Sequence, residues 1–225
     1  MKEYAIIVAG GSGSRMHSKT PKQFLILGDK PILMHTIEAF RKYSSDLQLI
    51  LVLPESEIST WQNLCQIHGF NIPIKIAKGG KTRFQSVKNG LELINEDQSL
   101  VAIHDGVRPL VVNEIINASF RLAQLHGCAV ASTRLKESLR LIDKDNTRAI
   151  DRSDYRSIQT PQTFQTQLIK DAYANSEDNI VFTDDASVAE RNGIKISLFE
   201  GSYENVKITT REDLLFAEAI LSKKK

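Results

Sequence analysis

The chain has 225 residues, 29 Lys+Arg against 27 Asp+Glu, and a formal net charge of +2. That balance lacks the clustered cation excess of a nucleic-acid or anionic-membrane binder. With 41% hydrophobic and 25% charged residues, the composition is that of a soluble globular protein able to bury one well-filled core. The two cysteines, Cys65 and Cys128, form no paired motif, which excludes a disulfide framework and makes a reducing cytoplasm the expected location. The opening apolar run, residues 4–9, is too brief for a signal-peptide core, and no run approaches the ~18 residues needed to span a bilayer. Trp61 is the only tryptophan, so no stacking platform for single-stranded nucleic acid is expected. The terminal Lys223-Lys224-Lys225 run reads as a solvated end.

Short apolar runs alternate with amphipathic stretches along the chain. Residues 5–9 read as a buried strand that ends in Gly10-Gly11-Ser12-Gly13, and residues 31–43 place Ile32, Leu33, Ile37 and Phe40 at helical spacing. A second strand is expected over 47–53, stopped by Pro54, then a helix over 57–68 and a third strand over 72–77. A helix over 83–94 opens after the polar turn Gly79-Gly80-Lys81-Thr82. A strand over 100–104, a helix over 113–125 and a strand over 129–132 complete the alternation. This order predicts an α/β fold: a Rossmann-like, mostly parallel twisted sheet with helices on both faces. Residues 136–158 break the rhythm. Two weakly alternating, charged segments flank Asp143-Lys144-Asp145-Asn146, which predicts an inserted β-hairpin. Such an arm buries little by itself and is expected to pack on a second subunit, a solvated surface hairpin being the alternative. The whole of 1–225 is read as a single domain from which 136–158 protrudes.

The densest chemical signal is Val8-Ala-Gly-Gly-Ser-Gly-Ser-Arg15-Met16 with Pro21-Lys22-Gln23-Phe24. Glycines after a buried strand let backbone N–H groups approach a phosphate. A P-loop would need Gly-Lys-Ser/Thr after a four-residue gap, and a dinucleotide fingerprint would need a third glycine where Met16 stands. What remains is a nucleotide loop with its own cations, Arg15 and Lys22, placed to neutralise a triphosphate whose charge moves during reaction. A glycine-rich turn with two solvated cations is the bland alternative.

This segment resembles the signature of sugar-phosphate nucleotidyltransferases. Five further segments follow in order: Gly79-Gly-Lys-Thr-Arg-Phe-Gln-Ser86-Val, His104-Asp-Gly-Val-Arg-Pro109, Gln159-Thr-Pro-Gln-Thr-Phe164, Thr183-Asp-Asp-Ala-Ser187 and Asn205-Val-Lys-Ile-Thr-Thr210. Together the six resemble the 2-C-methyl-D-erythritol 4-phosphate cytidylyltransferase family of the non-mevalonate isoprenoid pathway, over nearly the whole chain. The resemblance implies transfer of CMP from CTP to 2-C-methyl-D-erythritol 4-phosphate, with pyrophosphate leaving. It also implies a nucleotide-diphospho-sugar transferase-like fold and a homodimer formed through the β-arm.

Such chemistry needs no deprotonated side-chain nucleophile, because the acceptor phosphate is already an anion; catalysis is positioning plus charge stabilisation. The five histidines, His17, His35, His68, His104 and His126, accordingly sit in no metal-ligand pattern and beside no nucleophile. By resemblance, Arg15 and Lys22 stabilise the pentacoordinate α-phosphate. Ala9, Gly10, Gly11, Ser12 and Gly13 hold triphosphate and ribose, and Gly80, Arg83 and Ser86 form the cytosine side. Asp105, at the carboxyl edge of the sheet where ligands of such folds bind, holds the acceptor hydroxyls close to Mg²⁺, and Arg108 supports its loop. Arg152, reaching into the neighbouring subunit, and Lys207 grip the acceptor phosphate, with hydroxyl contacts from Ser138 and Thr183. Mg²⁺ is held mainly by CTP phosphates and water, without a dedicated protein cage. Thr183 also reads as a helix N-cap, and Arg152 as a solvated arm charge.

The chain departs from the family pattern at Lys81, where an acid is commoner, at Gly106-Val107 in place of an alanine pair, and at Glu137-Ser138 in place of Asp-Thr. Two other functions compete: a ribitol-5-phosphate cytidylyltransferase, which would use the same cations, and a catalytically silent nucleotide-binding module, which would not need cations at the α-phosphate.

Overall fold

The computed structural model describes residues 1–10, 20–177 and 180–223. Its centre is a seven-stranded sheet built from Lys2–Val8 (β1), Gln48–Leu53 (β4), Lys75–Lys78 (β5), Ser99–Asp105 (β6), Cys128–Arg134 (β7), Arg156–Gln165 (β10) and Leu198–Glu200 (β11). The strand order is β11-β7-β10-β6-β1-β4-β5. Every pairing is parallel except those of β10, which runs antiparallel to both β6 and β7. Two short strands, Ile26–Leu27 (β2) and Lys30–Pro31 (β3), form a separate small ribbon.

Alternation along the strands sorts the core into two layers. Ala5 and Ile7 of β1, with Leu49, Leu51 and Leu53 of β4, face Ile32–Tyr43 (α1), Ile58–Ile67 (α2) and Asn113–His126 (α4) through Ile37, Phe40, Trp61, Ile116 and Phe120. Ile6, Ile50, Val52, Val101 and Ile103 face Arg83–Leu91 (α3), Thr166–Ala174 (α5) and Asp185–Arg191 (α6) through Val87, Leu91, Ile169, Tyr173 and Val188. Helices therefore cover both faces, as the alternating pattern predicts. A third, smaller cluster joins Leu27, Ile32, Val107, Leu110 and Ile208 to Ala217 of the C-terminal helix Arg211–Lys223 (α7). Among the described residues no helix is long and apolar enough to cross a membrane, and both cysteines are free.

The register aligns the ends of the central strands. Val8 lies opposite Val52 on one side and Asp105 on the other, so the loops after β1, β4 and β6 leave from one edge. Gly106 seals the junction: its N–H donates to the Val8 carbonyl at 2.8 Å. A Cβ at position 106 would sit 2.9 Å from that of Ala9 and 3.0 Å from Leu33, closer than side-chain carbons approach without movement. This packing is a physical reason for glycine at one of the positions where the chain leaves the family pattern.

The inserted hairpin is present as Leu139–Asp143 (β8) and Asn146–Ile150 (β9), which among the described residues pair only with each other. Lys144 in its turn has φ of 51°. Arg156, Ser157 and Ile158, within the segment read as arm, pair instead with β7 in the central sheet. The third strand begins later than expected, at Lys75 rather than residue 72, because residues 71–74 with Pro73 run irregularly before it.

Candidate active site

The loops at the carboxyl edge enclose a cavity of about 200 Å³ lined by Ala9, Gly10, Lys22, Gly80, Arg83, Ser86, Asp105 and Lys207, among others. A second cavity of about 270 Å³ adjoins it, lined by Arg83, Asp105, Arg108, Thr160, Thr183 and Lys207 with neighbours from β10. Arg83, Asp105 and Lys207 line both. The site thus has two compartments joined by one carboxylate and two cations.

The first compartment is shaped by local hydrogen bonding. Thr82 caps α3, its Oγ1 accepting from the Gln85 N–H at 3.1 Å. Ser86 Oγ accepts from the Gly80 N–H at 3.1 Å and donates to the Thr82 carbonyl at 2.9 Å. Its proton is thereby committed, and what it offers a ligand is an acceptor lone pair. Gly80 admits no side chain: a Cβ there would fall 2.3 Å from that of Gln85. Lys22 opens a 3-10 turn, Lys22–Phe24, pinned by the buried Gln23 and Phe24.

Asp105 is the centre of charge. Its Oδ2 is 3.2 Å from Arg108 Nε and 3.1 Å from Lys207 Nζ, and its Oδ1 is 3.9 Å from Arg83 Nε. Burial alone would push this carboxyl's pKa up, but Arg83, Lys207 and Arg108 override it and hold it well below the usual carboxylate range. Arg108, 8% exposed, also donates through Nη1 to the Asn205 carbonyl at 2.8 Å. Lys207 keeps 41% of its side chain exposed and is the cation of this trio most open to an arriving anion.

Of the residues read from the sequence, Ala9, Gly10, Lys22, Gly80, Arg83, Ser86, Asp105, Arg108, Thr183 and Lys207 converge on the two compartments. Gly11, Ser12, Gly13 and Arg15 lie outside the described residues. Ser138 and Arg152 are exposed at the base of the hairpin and line neither compartment of their own chain; Arg152 donates to the Lys136 carbonyl. The N-cap of α6 is Asp184, not Thr183, and its reciprocal bonds with Ser187 leave the Thr183 side chain exposed at the cavity.

The sequence reading missed four supporting residues. Asp185 clamps Arg83, Thr160 and His104 back the Asp105 loop, and Asn205 braces the loop of Lys207. All four lie inside motifs already singled out, yet nothing in their spacing separates a supporting residue from a ligand-facing one.

Among the described residues no group of three or more His, Cys, Asp or Glu side chains is placed to hold a metal ion. The donor set fits a hard cation that takes most of its ligands from phosphates and water: Asp105, whose Oδ1 is less engaged than Oδ2, lines both compartments, while Asp184 lines the second with its oxygens taken by Gln162 and the Ser187 N–H.

A mostly parallel α/β sheet whose first strand leads into a glycine-rich segment, with a cationic two-part cleft at its carboxyl edge, is the framework of a nucleotidyltransferase. Residues 4–223 match the model of the 2-C-methyl-D-erythritol 4-phosphate cytidylyltransferase family. The chain is 48% identical over 221 residues to the 2-C-methyl-D-erythritol 4-phosphate cytidylyltransferase of Bacteroides thetaiotaomicron, covering 98% of this chain and 100% of that one. It is 40% identical over 228 residues to that of Caldanaerobacter subterraneus, covering 99% and 100%. The crystal structure of 4-diphosphocytidyl-2C-methyl-D-erythritol synthase from Anaerococcus prevotii superposes with a TM-score of 0.84 at 28% identity, over 98% of this chain and 96% of that one. The chain belongs to the 2-C-methyl-D-erythritol 4-phosphate cytidylyltransferase family.

Proposed function

We propose that the chain transfers the cytidylyl group of CTP to the phosphate of 2-C-methyl-D-erythritol 4-phosphate, giving 4-CDP-2-C-methyl-D-erythritol and pyrophosphate for isoprenoid precursor synthesis. The observation that carries this reading is the sharing of Arg83, Asp105 and Lys207 by two adjoining cavities. One compartment suits a nucleoside triphosphate and the other a small polyol phosphate. An acceptor phosphate oxygen attacks the α-phosphorus in line; the bond to the β-phosphate oxygen breaks, and pyrophosphate leaves with that electron pair.

In this reading Lys22, with Arg15, stabilises the charge that gathers on the α-phosphate oxygens in the transition state. Ala9 and Gly10, with Gly11, Ser12 and Gly13, hold the triphosphate and ribose. Gly80, Arg83 and Ser86 hold the cytosine side, Ser86 through the lone pair its local bonds leave open. Lys207 orients the acceptor phosphate, while Asp105 and Thr183 take its hydroxyls and Arg108 fixes the Asp105 carboxylate. The triphosphate and water would hold Mg²⁺, with Asp105 as the carboxylate near it, and the ion would neutralise phosphate charge. The fold is read as one domain acting in the cytoplasm, and as a homodimer in which the hairpin brings Arg152 and Ser138 to the acceptor compartment of the partner subunit.

Incubation with CTP, Mg²⁺ and the acceptor, read by pyrophosphate release and mass spectrometry of the product, tests this. Release with 2-C-methyl-D-erythritol 4-phosphate is expected. Release with ribitol 5-phosphate alone would overturn the acceptor assignment, and CTP binding without release from either would leave a nucleotide-binding module.

A further inference from the structure

We propose that Asn205 is a positioning residue for the acceptor half of this site: its buried carboxamide fixes the loop that carries Lys207, and its backbone carbonyl holds the guanidinium of Arg108. The proposal rests on the reading of the two compartments given above. Asn205 is 0% exposed. Its Nδ2 donates to the Thr160 carbonyl at 2.8 Å and to Gln159 Oε1 at 3.3 Å, both on β10. Its backbone carbonyl accepts from Arg108 Nη1 at 2.8 Å. Three residues later the Ile208 N–H donates to the Val107 carbonyl at 2.9 Å. Lys207 is held between these two ties.

The β10 side of the brace is itself locked. Gln159 Nε2 donates to the Ser202 carbonyl at 2.8 Å, and the Ser202 N–H returns to Gln159 Oε1 at 3.3 Å. A Cβ at Gly201 would fall 2.5 Å from that same oxygen, so the loop sits as close to Gln159 as glycine permits.

Lys207 needs such a brace. It is a long side chain with many rotamers, and its single ion pair with Asp105 lies at an open rim where water competes. Fixing its Cα is the economical way to aim Nζ. Asparagine suits the task because two donors on a short stem meet two buried acceptors; alanine would leave the Thr160 carbonyl and Gln159 Oε1 short of a partner. Lys207 lines the first compartment too, but the wall formed by residues 80–86 is shaped by the bonds of Thr82, Gln85 and Ser86, none of which involves residues 201–208.

The test compares wild type with Asn205→Ala and Asn205→Ser by steady-state kinetics in both substrates. Calorimetric titration of CTP without acceptor and a thermal melt accompany it. Asn205→Ala is expected to raise the acceptor KM about tenfold and lower kcat, with CTP affinity within about twofold of wild type. Asn205→Ser retains a hydroxyl donor and is expected to fall between the two, which keeps the proposal testable where the alanine variant does not fold. A folded variant with unchanged acceptor KM, or with equal losses toward both substrates, would overturn it, the second pattern being that of a merely structural residue. Wild-type protein that releases no pyrophosphate with any polyol phosphate would instead overturn the activity proposed above, a result separate from either outcome for the variants.

Discussion

Arg83 and Asp185, 102 positions apart in sequence, meet as a two-pronged ion pair, with Nη1 and Nη2 at 2.8 and 2.7 Å from the two carboxylate oxygens. Tyr173 donates its hydroxyl to the same carboxylate at 2.6 Å. The pair joins the first turns of α3 and α6 and leaves Arg83 Nε facing Asp105. Burial would lower the guanidinium's pKa, but Asp185 more than offsets it, so Arg83 stays charged. Asp185→Asn removes the countercharge from a half-buried cation. A loss of about 2–4 kcal/mol in unfolding free energy is expected, below the cost for a sealed pair because Arg83 keeps some solvent access. Urea denaturation measures it. The CTP KM should rise several-fold as Arg83 loses its fixed orientation. A stability change under about 0.5 kcal/mol would mean that the pair contributes no more than a surface contact.

Lys22 is expected to matter more for turnover than for binding. Its turn is pinned by Gln23 and Phe24, so its ammonium group reaches the first compartment from a rigid base. Charge on the α-phosphate oxygens changes only as the new bond forms, so a cation aimed there favours the transition state over bound CTP. Lys22→Ala should lower kcat about 10²–10³-fold while CTP affinity changes by no more than a few-fold. An equal loss in affinity, with kcat retained, would assign Lys22 to ground-state binding.

The layering of the fold was legible because β1, β4 and β6 each contain a continuous apolar run and the helices between them place apolar residues at helical spacing. β10 was not. Its sequence, Arg-Ser-Ile-Gln-Thr-Pro-Gln-Thr-Phe-Gln, is mostly polar and contains a proline, and its first three residues read as part of the arm, yet it lies between β6 and β7. Thr160, Gln162 and Thr163 are buried there because each finds a partner that only the folded chain supplies: Thr163 on Ser119, Gln162 on Asp184 and the Ala186 N–H, Thr160 on His104. The site followed the same division. Residues at strand ends, such as Asp105, and in glycine turns, such as Gly80, carry local signals. Asp185 and Asn205 act across long sequence separations, and no local pattern announces such a partnership.

His104 makes acid stability a readable property. It is 0% exposed; its Nδ1 accepts from Thr160 Oγ1 at 3.0 Å, and its Nε2 faces the Arg108 carbonyl at 3.2 Å. Because the Arg108 carbonyl can only accept, Nε2 carries the proton of the neutral ring and Nδ1 takes that of Thr160 Oγ1, which in turn accepts from the Asp105 N–H. Burial pushes its pKa down to about 4, against a bond to the Arg108 carbonyl that favours the charged form. As pH falls below about 6.5 the unfolded chain takes up this proton and the folded chain does not. The contribution of neutral His104 is therefore complete above about pH 6.5 and is lost as pH falls toward 4, a loss of order 3 kcal/mol. His104→Gln lacks this dependence. The difference in unfolding free energy between wild type and variant should shrink between pH 7 and pH 4; parallel curves would show that the buried ring gains its proton without penalty.

The proposed exchange of Arg152 between subunits makes a prediction that a surface hairpin does not. Among the described residues β8 and β9 pair only with each other, and the arm leaves Leu141, Ile142 and Tyr155 exposed, Ile142 by 73%. Arg152 at its base lines no compartment of its own chain. If one active site uses its own Lys22 and the partner's Arg152, then Lys22→Ala and Arg152→Ala homodimers are each inactive, but a mixed dimer contains one intact site. Random exchange of equal amounts makes half the dimers mixed, so recovery of about one quarter of wild-type activity is expected. Fluorescence exchange between labelled subunits verifies that mixing has occurred. Mixed dimers without recovered activity would show that Arg152 does not complete the partner subunit's site.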